Sequence, residues 1–134
     1  MEYVYDPSNV FDLEYHYGRR VNTCKPKKHG VRVLEYEVVH DVEHVLESLL
    51  VQYGPVPVAV DSKSWRGYKG GIIEECGHAP NHAVLVVGYT QEYWIIKNSM
   101  GTEWGDQGYG KISRSGNVCG INTYAAVATR VEFV

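Results

Sequence analysis

Apolar and polar residues alternate from Val31 to Val39, with Val31, Val33, Tyr36 and Val38 as the apolar set. A period near two predicts a half-buried β-strand. After it the period lengthens: Val42, Val45, Leu46, Leu49 and Tyr53 recur at i, i+3 and i+4 spacing. That pattern predicts a helix with Asp41 as its N-cap and Gly54-Pro55 as its stop. The remainder reads as strands at Val56–Val60, Tyr68–Ile73, Ala83–Tyr89, Tyr93–Lys97, Tyr109–Ser113 and Val127–Val134, several of them separated by glycine-containing stretches. Many short strands and one helix, without strand–helix alternation, predict an α+β fold built on an antiparallel sheet or barrel. Asp6-Pro7-Ser8-Asn9 reads as a turn and Lys25-Pro26-Lys27-Lys28-His29-Gly30 as a loop. The chain therefore divides into an irregular segment over residues 1–30 and one folded unit over residues 31–134.

Composition narrows the function classes. With 134 residues and 44% apolar content the chain suits a single core. A net charge of −3 without a basic stripe argues against a nucleic-acid partner. No apolar run approaches the roughly 18 residues of a membrane helix, so no membrane partner is expected. The start, Met1-Glu2-Tyr3-Val4-Tyr5-Asp6, lacks the charged beginning and apolar centre of a signal peptide. Three cysteines, Cys24, Cys76 and Cys119, fit either one disulfide plus a remaining thiol or three reduced thiols.

Two stretches carry the chemistry. The first is Asn81-His82-Ala83-Val84-Leu85-Val86-Val87-Gly88-Tyr89. The second is Lys97-Asn98-Ser99-Met100-Gly101-Thr102-Glu103-Trp104-Gly105-Asp106-Gln107-Gly108-Tyr109-Gly110. Together, in this order, they resemble the histidine and asparagine segments of the papain family of cysteine proteases, which includes cathepsins and mite group 1 proteases. Gly54-Pro55-Val56-Pro57-Val58-Ala59-Val60-Asp61, Tyr68-Lys69-Gly70-Gly71-Ile72 and Cys119-Gly120-Ile121 extend the similarity, which runs from about Val31 to the C-terminus.

The resemblance implies the barrel-like lobe of the papain fold with one packed helix, here over residues 31–134. It implies His82 as acid–base residue and Asn98 as the group that orients its ring. It implies a Cys76–Cys119 disulfide and a substrate-binding set of Ala59, Pro80, Asn81, Ala83 and Tyr124, with Tyr124 closing the floor of a specificity pocket. No cofactor and no metal are implied, and the setting is secreted or lysosomal. The family usually has tryptophan at the place of Met100, where the ring shields the histidine–asparagine bond.

The family's nucleophile sits in a segment like Cys-Gly-Ser-Cys-Trp, and nothing here resembles it. Cys24 lies among Lys25, Lys27 and Lys28, which lower a thiol's pKa. The resemblance nevertheless places it at a structural cysteine whose disulfide partner would lie in the other half. The isolated chain is expected to be inactive. The expected partners are a second chain carrying the nucleophilic half, with Cys24 as the candidate disulfide link to it, and a peptide substrate or ligand. The alternative is a non-catalytic relative acting as a binding or regulatory module.

His40-Asp41-Val42-Glu43-His44 also matches the His-x-x-Glu-His pattern of inverted zinc peptidases. Five residues match easily by chance. With Asp41 as cap, His40 precedes the helix, while Glu43, His44 and Glu47 form its solvated face.

Overall fold

The structure is a computed structural model that describes residues 3–4 and 30–134. The expected turn at 6–9, most of the loop at 25–30, and Cys24 fall outside the described residues. Eight strands form one sheet: β1 (Tyr3–Val4), β2 (Val31–His40), β3 (Val56–Val60), β4 (Ile72–Ile73), β5 (His82–Tyr89), β6 (Tyr93–Lys97), β7 (Tyr109–Ser113) and β8 (Tyr124–Phe133). The hydrogen-bonded order is β2-β8-β3-β5-β6-β7-β4, with β1 paired to β5. Neighbours run antiparallel except β4 and β7, which are parallel. β2 and β4 stand at the two ends of this path and, among the described residues, do not pair with each other, so the sheet is not closed.

Alternation explains the core. In β3, Val56, Val58 and Val60 are buried, while Pro57 is exposed and Ala59 half-buried. Opposite them Val84 and Val86 of β5 face the same way. The register slips between Val86 and Gly88 where β5 meets β6, so Val87 is an extra residue in the ladder. A bulge of this kind turns successive side chains, and both Val86 and Val87 are buried. That accounts for the nearly continuous apolar run.

The helix is shorter than its periodicity predicts: α1 spans Leu46–Tyr53. Asp41 is not its cap. Its φ is +52°, and its N–H donates to Thr123 O at 3.0 Å while that of Val42 donates to Asn122 O at 2.8 Å. These long-range backbone bonds tie residues 41–42 to the chain before β8, and helical bonding begins only with Val42 O as acceptor. Val42, Leu46 and Leu50 are fully buried against the sheet, whereas Val45 and Tyr53 stay exposed. Arg114 joins Glu47 at 2.7 Å and holds its carboxyl below the usual range.

β2 forms as expected, but its half-burial does not. Val31, Val33, Tyr36 and Val38 are all exposed, since β2 is the end strand of the sheet and, among the described residues, pairs with β8 alone. The expected strand at Tyr68–Ile73 shrinks to Ile72–Ile73, and β8 begins at Tyr124 rather than Val127.

Candidate active site

His82 opens β5 and Asn98 directly follows β6, the adjacent strand, so sheet pairing brings together two residues 16 apart in sequence. The loop after Asn98 folds back on itself. Asn98 N–H donates to Gly108 O at 3.0 Å, and Gly108 N–H donates to Trp104 O at 2.8 Å. Gly108 has φ +93°, where a side chain would be strained.

His82 Nε2 and Asn98 Oδ1 lie 2.8 Å apart, and Asn98 is only 8% exposed. Asn98 Oδ1 also accepts the Ser99 N–H at 2.8 Å. An N–H donor there fixes the amide orientation, so Nε2 must carry the proton that completes the second bond. The neutral ring then holds its basic lone pair on Nδ1. A protein that uses this ring as a base would have to use Nδ1.

Aromatic side chains support the pair from one side. Trp65, buried in the loop after β3, meets the His82 ring edge-on with centroids 6.1 Å apart. It packs on Trp104 at 5.5 Å, and Trp104 packs on Tyr68 at 5.0 Å. Trp104 Nε1 donates to Trp65 O at 3.1 Å. Met100 is 46% exposed beside Asn98, and both line a cavity of about 400 Å³ with Trp65 and Trp104.

Asp61 fixes the approach to His82. Its carboxylate accepts the N–H groups of Lys63 at 3.0 Å and Ala79 at 3.1 Å, and at longer range the Asn81 amide. The Lys63 N–H, reinforced by the one from Ala79, holds its carboxyl below the usual range despite burial. A Cβ on Gly77 would overlap Asp61 Oδ2, so the chain passes close to the carboxylate there. The Asn81 side chain is turned into the same network, with Oδ1 accepting from Ser62 N and Oγ at 2.9 Å each.

Of the remaining residues of the expected substrate-binding set, three share one face of the sheet. Ala59 and Ala83 are cross-strand partners in β3 and β5. Val58, Val84 and Ala125 face the core, so Ala59, Ala83 and Tyr124 lie on the opposite face of three adjacent strands. Pro80 is exposed in the loop before His82. Cys76 and Cys119 are joined in a disulfide, with Cα atoms 4.7 Å apart. His40 ends β2 and His44 lies in the turn before α1, so they do not share a helix face. Among the described residues, no three His, Cys, Asp or Glu side chains converge as metal ligands.

Residues 1–129 match the family model described as papain family cysteine protease. The chain belongs to the papain family of cysteine proteases. Among papain-family relatives, it is 43% identical over 116 residues to the viral cathepsin of Antheraea pernyi nuclear polyhedrosis virus, covering 81% of this chain and 36% of the relative. Cathepsin 7 of Rattus norvegicus is 38% identical over 130 residues, with coverages of 85% and 39%. The chain thus spans little more than a third of these relatives' length. Digestive procathepsin L2 from Tenebrio molitor larval midgut superposes with a TM-score of 0.68 at 39% identity, over 74% of this chain and 35% of that one. Bromelain from Ananas comosus, solved with the E64 inhibitor, gives 0.67 at 33% identity, over 72% and 50%.

Asp61, Trp65 and Trp104 were not picked out as site residues from the sequence. The signal was local: Asp61 ends a matched segment, Trp104 lies inside the asparagine segment, and Trp65 is a large aromatic in a polar loop.

Proposed function

We propose that this chain supplies the histidine and asparagine of a papain-type thiol peptidase site, with the nucleophilic cysteine coming from polypeptide outside these 134 residues. The observation that carries this reading is the 2.8 Å contact between His82 Nε2 and the oriented Asn98 oxygen. It leaves Nδ1 as the basic atom of the neutral ring. A thiol brought to Nδ1 transfers its proton there and attacks a peptide carbonyl. The imidazolium then returns the proton to the departing amine, and water hydrolyses the thioester. Asn98 keeps the ring in one tautomer and orientation through both steps.

The thiol-bearing polypeptide is either a separate chain, with Cys24 as a possible link, or further sequence of the same protein. It would cover the face carrying Ala59, Ala83 and Tyr124. Those three side chains, with Pro80, would receive a substrate side chain between the two parts. A secreted or lysosomal setting fits the Cys76–Cys119 disulfide. No helix among the described residues is long and apolar enough to cross a membrane.

The test is peptide hydrolysis by the native protein and by its His82→Ala variant, each beside the isolated 134-residue chain. Activity in the native protein, its loss by two or more powers of ten on substitution, and none in the isolated chain are expected. Undiminished hydrolysis after substitution would sink the acid–base role. A non-catalytic binding module is the second reading. It is favoured by the exposure of Met100, which leaves the histidine–asparagine bond less shielded than a larger ring would.

A further inference from the structure

The Cys76–Cys119 disulfide takes no part in the proposed chemistry, and its two sulfurs differ in access. Cys119 is fully buried, whereas Cys76 is half-buried between the exposed Glu75 and Gly77. An external thiolate can therefore approach the bridge at Cys76 and not at Cys119.

Each sulfur also has a partner suited to its reduced form. Trp65, only 3% exposed, directs its indole N–H at Cys119 Sγ over 3.4 Å. An N–H donor in a buried setting stabilises a thiolate, so Cys119 is the better leaving group of the two. Cys76 Sγ lies 3.0 Å from Asp61 O. In the bridge that sulfur has no hydrogen to offer the carbonyl, but as a thiol it donates one. The Ser64 hydroxyl stands 3.8 Å from the same sulfur and can donate to it while it is a thiolate. An opened bridge thus finds hydrogen-bond partners for both sulfurs within the folded chain.

What the bridge holds decides what its opening does. Cys119 O accepts the Asp61 N–H at 2.8 Å, and the Trp65 ring on Cys119 Sγ meets His82 edge-on. Cys119 itself has φ +58°, a left-handed conformation unfavourable for an L-residue. Freed of its crosslink, this turn can relax, and the two groups bonded to Cys119 shift with it.

We infer that Cys76–Cys119 is a thiol–disulfide exchange site, opened by a dithiol at Cys76, and that its opening loosens the support behind His82. One thiolate of the dithiol attacks Cys76 Sγ, the S–S bond breaks, and Cys119 leaves as a thiolate that takes up a proton. The second thiolate then attacks the reductant's own sulfur in the mixed disulfide and releases Cys76, which is protonated in turn. One protein disulfide and one dithiol become two protein thiols and one oxidised dithiol, with two electrons and two protons passed. A monothiol performs this poorly, because Cys119 stands beside the mixed disulfide at high effective concentration and recloses the bridge. Only the bearing on peptide hydrolysis rests on the proposed function; the exchange stands on the bridge itself.

The test treats the folded 134-residue chain with dithiothreitol, and in a second arm with 2-mercaptoethanol at equal total thiol. Free thiols are alkylated and mapped by peptide mass, which tells Cys76 and Cys119 from Cys24. Dithiothreitol should open the bridge at a rate proportional to its concentration and about tenfold or more faster than the monothiol. Urea well below the unfolding midpoint should change that rate by less than about twofold, since direct attack exposes little new surface. The opened chain should keep a dispersed amide NMR spectrum, with its largest shifts at the Trp65 indole N–H, the Asp61 N–H and the His82 ring. Opening that accelerates steeply with urea, equal rates for the two reductants, a collapsed spectrum, or unmoved Trp65 and His82 signals would each overturn the inference. No hydrolysis is measured here, so its failure leaves the His82–Asn98 proposal standing. Undiminished hydrolysis after His82→Ala would, conversely, leave the exchange site untouched.

Discussion

Trp65 donates its indole N–H to Cys119 Sγ at 3.4 Å, across 54 residues of sequence. The same ring meets His82 edge-on, so one side chain packs between the disulfide and the candidate acid–base residue. Asp61 N–H donates to Cys119 O at 2.8 Å, which ties the loop that leads toward His82 to the same cysteine. The disulfide thus supports both the ring behind the histidine and the residue that anchors its approach.

Replacing Cys76 and Cys119 with alanine should therefore cost more than a surface crosslink would. Opening a closed loop of 43 residues is worth about 4 kcal/mol on the chain-entropy model. Denaturant melts of the chain and the double variant should differ by about that amount. The tryptophan emission of the folded variant should also change as Trp65 loses its sulfur acceptor. A difference under about 1 kcal/mol would show that the bridge contributes little to the fold.

Acid should loosen the segment before His82 through Asp61. Its carboxyl is held low first by the Lys63 N–H and also by the Ala79 N–H. A depressed folded-state pKa gives stability that is fully present above the unfolded value, about 3.9, and is lost as pH falls through the folded value. Asp61→Asn should lower Tm at neutral pH, and its deficit against the parent chain should shrink below about pH 4. Gly77→Ala should produce a comparable neutral-pH deficit, since its Cβ overlaps Asp61 Oδ2. Parallel Tm curves for Asp61→Asn and the parent from neutral to acid pH would contradict the role given to this carboxylate.

Removing Asn98 should cost less than removing His82. Asn98→Ala deletes one hydrogen bond to the ring, worth about 1–1.5 kcal/mol, so hydrolysis by the native protein should fall about tenfold. The fall should appear mainly in kcat, because the amide orients the base and does not hold substrate. A pure rise in KM would instead place Asn98 in substrate binding.

Much of this arrangement was legible in the residues. Val56, Val58 and Val60 alternate as they pack, and the two motif segments already grouped His82 with Asn98, which the fold sets on neighbouring strand ends. What escaped is what depends on distant partners. Asp41 resembles a helix cap, yet its backbone is spent on Thr123, so the helix starts later. The alternation of β2 shows a strand but not what covers it, and both its faces are exposed. Asp61 and Trp65 acquire meaning only through Ala79 and Cys119, 18 and 54 residues away.

Met100 gives the sharpest contrast between the two functional readings. It stands 46% exposed over the loop that carries Asn98, and a methionine there is flexible and covers little. Met100→Trp would add a rigid ring over the same edge, next to Trp65 and Trp104 across their shared cavity. Excluding water from the His82–Asn98 bond strengthens it, because a hydrogen bond gains in a low-dielectric surrounding. If the protein is a peptidase, kcat should rise about two- to fivefold, a fraction of one such bond. The imidazole N–H proton at Nε2 should also exchange more slowly with solvent. Slower exchange with no hydrolysis before or after the change would mean that the pair is intact but idle, and the binding-module reading would then lead.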